Sequence, residues 1–146
     1  MTYYYACSYP LKKDSIIETG NWGRKLKLES IETGCKHLLL ETVFENIRLK
    51  EHPNLPSRLN CNFLCSNIES AKQFLRGYDI LYEVQIESPE AKQFKTDHTL
   101  INTGKANKIA DLEGLAKNYW NPKVTPPQTE EILVESDVRI IQMVSY

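Results

Sequence analysis

Between Pro56 and Cys65 the chain sets Ser57, Arg58, Asn60 and Asn62 among Leu59, Cys61, Phe63 and Leu64. A strand packed into a core excludes such polar groups unless they are partnered. The segment therefore reads as one that binds something. A second concentration of chemistry lies near the C-terminus, where Glu130 and Glu131 directly precede Ile132-Leu133-Val134. Side chains alternate along a strand, so one of these carboxylates faces inward, and alternation leaves open which. The same rule applied to Tyr4 and Tyr5 sends one into any cleft and the other into the core.

Other reactive residues are less ordered. The four cysteines, Cys7, Cys35, Cys61 and Cys65, occur without an export signal and are read as free thiols. Cys61 and Cys65 stand four apart, but no second Cys/His pair has finger-like spacing, so no metal site is expected. His37, His52 and His98 are scattered among charged or turn-forming residues and read as surface imidazoles. Neither GxGxxG nor GxxxxGK[ST] occurs, which removes support for a Rossmann or P-loop phosphate cradle.

A length of 146 residues suits one domain, 1–146. With 18 basic and 19 acidic residues the net charge is -1, which gives no global attraction to nucleic acid or anionic membrane. The N-terminal residues lack a basic region followed by an apolar one, and no apolar run approaches the ~18 residues of a membrane span. A soluble, cytoplasmic protein without a membrane partner is expected.

The elements that position these residues follow from periodicity. Tyr3 to Cys7 reads as a first strand ending at Tyr9-Pro10. A loop-rich region with Gly20, Gly23 and Gly34 follows, in which Ile17-Glu18-Thr19-Gly20 and Ile31-Glu32-Thr33-Gly34 read as two similar turns. Leu39, Leu40, Val43, Phe44 and Ile47 predict a helix from Lys36 to Glu51, stopped by His52-Pro53. The segment after Pro56 reads as a strand through Cys65, followed by a capped short helix over Ile68 to Leu75. Leu81 to Glu87 alternates as a half-buried strand, whereas 88 to 108 is polar and weakly patterned. Asp111 to Trp120 predicts a helix, and the runs from Glu130 and Val138 predict a terminal hairpin. This is an α+β chain with a mixed or mainly antiparallel sheet.

The order of elements resembles the ADP-ribosyltransferase-like fold, in particular small bacterial and phage domains of that type. The resemblance rests on an aromatic first strand with a glycine loop (Tyr3 to Gly23), the serine-bearing Ser57-Arg58-Leu59-Asn60 segment with its helix, the strand Leu81 to Glu87, and the glutamate-led Glu131-Ile132-Leu133-Val134. It implies a split sheet with short flanking helices and NAD, the substrate, in the cleft. It also implies a mono-ADP-ribosyltransferase that passes ADP-ribose to a protein or nucleic-acid acceptor. Glu131 matches the catalytic glutamate that holds the nicotinamide ribose and favours an oxocarbenium-like state. Tyr5 stands where the family carries histidine or arginine, Ser57 supports the site, and Arg58 either takes the pyrophosphate through its bidentate guanidinium or stands at the surface paired with a helix carboxylate. Asn60 continues that wall. Trp120, beside Asn121 and Pro122, either offers a face for a base or nicotinamide ring or anchors a helix end. The lost first-strand cation also fits an alternative, a non-catalytic binding module such as a phage or defence factor on the same fold.

Overall fold

The structure, a computed structural model, describes residues 1–123 and 125–145. Val124, within the expected loop 88–128, and Tyr146, the last residue of the expected domain, lie outside the described residues. The fold is α+β, with two antiparallel sheets and, among the described residues, four α-helices. The first sheet has the order β1 (Tyr3–Cys7), β4 (Ile80–Ile86), β7 (Val138–Met143) and β2 (Ile16–Ile17). The second has the order β3 (Asn62–Leu64), β6 (Glu130–Val134) and β5 (Gln93–Asp97). A single bridge joins them: Tyr4 and Cys65 exchange backbone hydrogen bonds of 2.8 and 3.1 Å. Beyond that bridge no strand of one sheet pairs with a strand of the other among the described residues.

The expected terminal hairpin does not form. β6 pairs with β3 and β5, whereas β7 pairs with β4 and β2. Ser136 explains the switch of sheets, because its carbonyl and hydroxyl are taken by Asn62 and Ser88 and not by a hairpin partner. β6 is buried along its whole length. One face, through Ile132 and Val134, packs on Val84, Val138 and Ile140 of the first sheet. The other, through Leu133, meets α2 (Ile31–Glu51) and α4 (Ile109–Trp120) around Phe44, Ala116 and Tyr119. A strand covered on both sides loses the alternation that exposes one face.

The glycine-containing region is helical where loops were expected. Gly20, in the left-handed region at φ 81°, precedes α1 (Asn21–Leu28). Ser30 caps α2 by accepting from the Thr33 amide at 3.2 Å. The two Ile-Glu-Thr-Gly stretches therefore differ: one leads from β2 into α1, and the other is the first turn of α2. Gly23 lets α1 lie against the turn Arg58–Asn60, since a Cβ there would fall 2.3 Å from the Leu59 carbonyl oxygen. That turn is 3-10 helix, not strand. Ser57 caps it by accepting from the Leu59 amide, and regular pairing begins only at Asn62. α3 (Ile68–Lys72) follows, capped by Asn67. β5 forms within the weakly patterned stretch 88 to 108; of its five residues only Phe94 is apolar, and the buried pair Thr96 and Asp97 is polar. No helix among the described residues is long and apolar enough to cross a membrane.

Candidate functional site

A cavity of about 280 Å³ opens where the two sheets part. Its floor is polar and its walls are aromatic. Arg58, His98 and Glu131 contribute the charge-bearing groups, and Tyr4, Tyr5, Trp22, Phe63 and Phe74 contribute rings. Both Tyr4 and Tyr5 of β1 reach it, contrary to the one-face expectation, because the sheet splits at Tyr4 and the cavity wraps the strand there.

The polar floor is built from α2 upward. Arg58 is 7% exposed, and its Nε donates to both oxygens of Glu41 at 3.1 Å. Nη1 donates to Glu131 Oε2 at 2.9 Å and to the Tyr119 hydroxyl. The guanidinium plane also lies over the Phe63 and Tyr119 rings, at 4.9 and 5.0 Å from their centroids. Trp22 Nε1 donates to Glu41 at 2.9 Å, so α1 is tied to the same network. Arg58 is therefore committed to carboxylates through Nε and Nη1: of its two expected roles it takes the pairing with a helix carboxylate, Glu41, but buried and not at the surface. Only Nη2 makes no hydrogen bond to a described residue.

Glu131 is buried, with its Oε2 accepting from Arg58 and Tyr119 and its Oε1 accepting from His98 Nδ1 at 3.1 Å. Burial raises its carboxyl, but the Arg58 charge, His98 and the Tyr119 hydroxyl outweigh burial and hold it at about 2. The same burial, with Glu131 beside it, pushes the Tyr119 hydroxyl up against the pull of Arg58. Glu131 is thus an ionised acceptor at neutral pH. A carboxylate offers about four lone-pair positions, and three donors leave one on Oε1.

Glu130 faces away from this floor. Its Oε1 accepts from the Ser66 amide and hydroxyl, its Oε2 meets Lys95 Nζ at 2.7 Å, and its amide donates to Ser70. It fastens α3 to β6. Both members of the glutamate pair are buried, in two separate environments.

Three sequence-selected residues stand outside the cavity. Ser57 donates from its hydroxyl to Glu45 at 3.0 Å and from its amide to Glu135 at 2.9 Å, which holds the turn that carries Arg58. Asn60 is exposed, and its carbonyl accepts from the Thr19 hydroxyl. Trp120 is 2% exposed, donates to the Phe44 carbonyl at 2.9 Å and packs on Tyr119 and Phe94. It is a core anchor, because its ring is enclosed by α2, α4 and β5.

Sequence reasoning missed Glu41, Tyr119 and His98. Glu41, Glu45 and Arg48 form an i, i+4, i+7 line beside the apolar stripe of α2, a signal that charges on this face are enclosed. Arg48 uses the same line to hold the carbonyls of Pro53 and Leu55 at 3.3 and 2.8 Å. His98 gave no comparable signal, since it lies in the unpatterned stretch after β5.

The model of one protein family, described as a protein of unknown function (DUF2441), matches residues 12–146. The chain belongs to the DUF2441 family. No curated protein matches it. In this DUF2441 chain Trp22, Glu41, Arg58, His98, Tyr119 and Glu131 fall within the matched residues, and β1 with Tyr5 precedes them.

Proposed function

We propose that the cavity receives the nicotinamide-ribosyl end of NAD and that the protein is a mono-ADP-ribosyltransferase with an ADP-ribosyltransferase-like fold. The observation that carries this reading is the charge of the floor: the Glu41 and Glu131 carboxylates flank one guanidinium, leaving one net negative charge under aromatic walls. A pyridinium ring N-linked to a sugar is the complementary ligand. Its cation is attracted by aromatic faces and by the carboxylate. As nicotinamide leaves, positive charge moves onto the ribose, and a preorganised ionised Glu131 stabilises that state without reorganising.

The cavity is slightly below the roughly 300–1,000 Å³ of small-molecule sites, enough for the ring and its ribose. The adenosine half would then lie along the open side, past Tyr4 and Tyr5. Nη2 of Arg58 is the donor left for the first phosphate.

The alternative, a binding module without turnover, is favoured by the three donors that already hold Glu131 and by the absence of a cation on β1. Incubating the folded protein with NAD labelled in the adenosine half separates them. Nicotinamide release with transfer of label to an acceptor supports the transferase. Binding without release supports the module, and neither binding nor release rejects both.

A further inference from the structure

Resting on the transferase reading, we propose that His98 is the general base of the transfer step, and that the acceptor is therefore a neutral hydroxyl or N–H group. An ionised Glu131 can only accept hydrogen bonds, so His98 must donate from Nδ1. In the neutral imidazole this places the lone pair on Nε2. That nitrogen makes no hydrogen bond to a described residue. The ring is held from two sides, by Glu131 at 3.1 Å and by the edge contact with Phe74, whose centroid lies 4.8 Å away. Its backbone is fixed where the Asp97 side chain accepts from the Thr99 amide and His98 N–H donates to the Thr129 carbonyl. The His98 side chain is 42% exposed, so a macromolecular acceptor can reach it while Glu131 beneath is 4% exposed. A buried carboxylate that orients a half-open imidazole at a pocket wall is the geometry of a base and its orienting group.

In the step itself, the bond between the ribosyl carbon and the nicotinamide nitrogen breaks, and its electron pair leaves with nicotinamide. The acceptor oxygen or nitrogen forms the new bond to that carbon, and its proton passes to His98 Nε2. Glu131 offsets the imidazolium so formed. An acceptor carboxylate would need no such base. The charged and titratable groups sharing this wall are Glu131, Arg58, Tyr4, Tyr5 and Cys65, with Tyr119 behind Glu131. Neighbouring Asp97 is engaged by Thr99, Gln128 and Thr129. Cys65 is pushed up to about 12 by burial and then by Glu130 and Glu131, which leaves it a neutral thiol.

The test compares wild type with H98N, which keeps a donor near Nδ1 and removes Nε2, and with H98Q as a second variant. Folding is confirmed by circular dichroism, and label transfer from NAD is followed from pH 5 to 9. Transfer to a protein or nucleic-acid acceptor should fall by about 10²-fold or more, and the acid limb of the pH profile should vanish. Azide, an anion with no proton to surrender, should lose at least about tenfold less of its transfer rate in both variants than the hydroxyl or N–H acceptor loses. Transfer within twofold of wild type with an unchanged pH profile would overturn the assignment. Wild type that releases no nicotinamide would overturn the transferase reading, and the assignment with it.

Discussion

Replacing Arg58 by methionine keeps most of the side-chain volume and removes the one cation between Glu41 and Glu131. A carboxyl held at about 2, against an ordinary value near 4.3, contributes about 3 kcal/mol of stability at neutral pH. Because the folded value is lowered, that contribution is complete above the unfolded value and is lost as pH falls through about 2. Without Arg58, burial is left without its main opponent and raises the same carboxyl, so the variant is destabilised as pH rises instead. Breaking a buried ion pair by removing one partner costs about 3–5 kcal/mol. At about 3–4 °C per kcal/mol for a chain of this size, R58M should melt roughly 9–20 °C below wild type at pH 7. The gap should narrow steadily between pH 5 and pH 2. Urea titrations across that range measure it. A gap under about 1 kcal/mol at pH 7, or one that stays constant down to pH 2.5, would refute the reasoning.

Other consequences separate the floor from its supports. Gly23→Ala would drive a Cβ into the Leu59 carbonyl oxygen at 2.3 Å; it should cost about 1–3 kcal/mol and shift Trp22 fluorescence as α1 moves off the Arg58 turn. Glu130→Gln removes the partner of Lys95 and weakens the hold on Ser66; it should lower the melting temperature while nicotinamide release per folded molecule stays as in wild type. Trp120→Phe loses the hydrogen bond to the Phe44 carbonyl and should cost about 2–3 kcal/mol in denaturant titrations, without altering NAD affinity.

Much of the framework was legible in the residues and much of the site was not, for identifiable reasons. α4 and β4 carry full amphipathic periods and α2 carries one from Leu40 to Ile47, so Phe44, Tyr119 and Val84 announce their faces. α1 is short and its Gly23 mimics a loop, yet that glycine is there because two backbones touch. The hairpin expectation failed because a short connection between two β-rich runs says nothing of which sheet each joins, and Asn62 of β3 and Ser88, in the loop after β4, both claim Ser136. Arg58 and Glu131 stood out as polar groups in apolar surroundings, whereas Glu41 hid on a long helix and His98 hid among polar residues. Their roles come from contacts 17 and 33 residues away along the chain, which local pattern does not encode.

The proposed site is a floor that carries one negative charge beneath aromatic walls. Calorimetric titration of the folded protein with NAD and with NADH reads that charge directly, because the two differ by the positive charge of the nicotinamide ring. NAD should bind at least tenfold more tightly, and the preference should shrink in Glu131→Gln. Equal affinities for the two dinucleotides, or no binding of either, would contradict it.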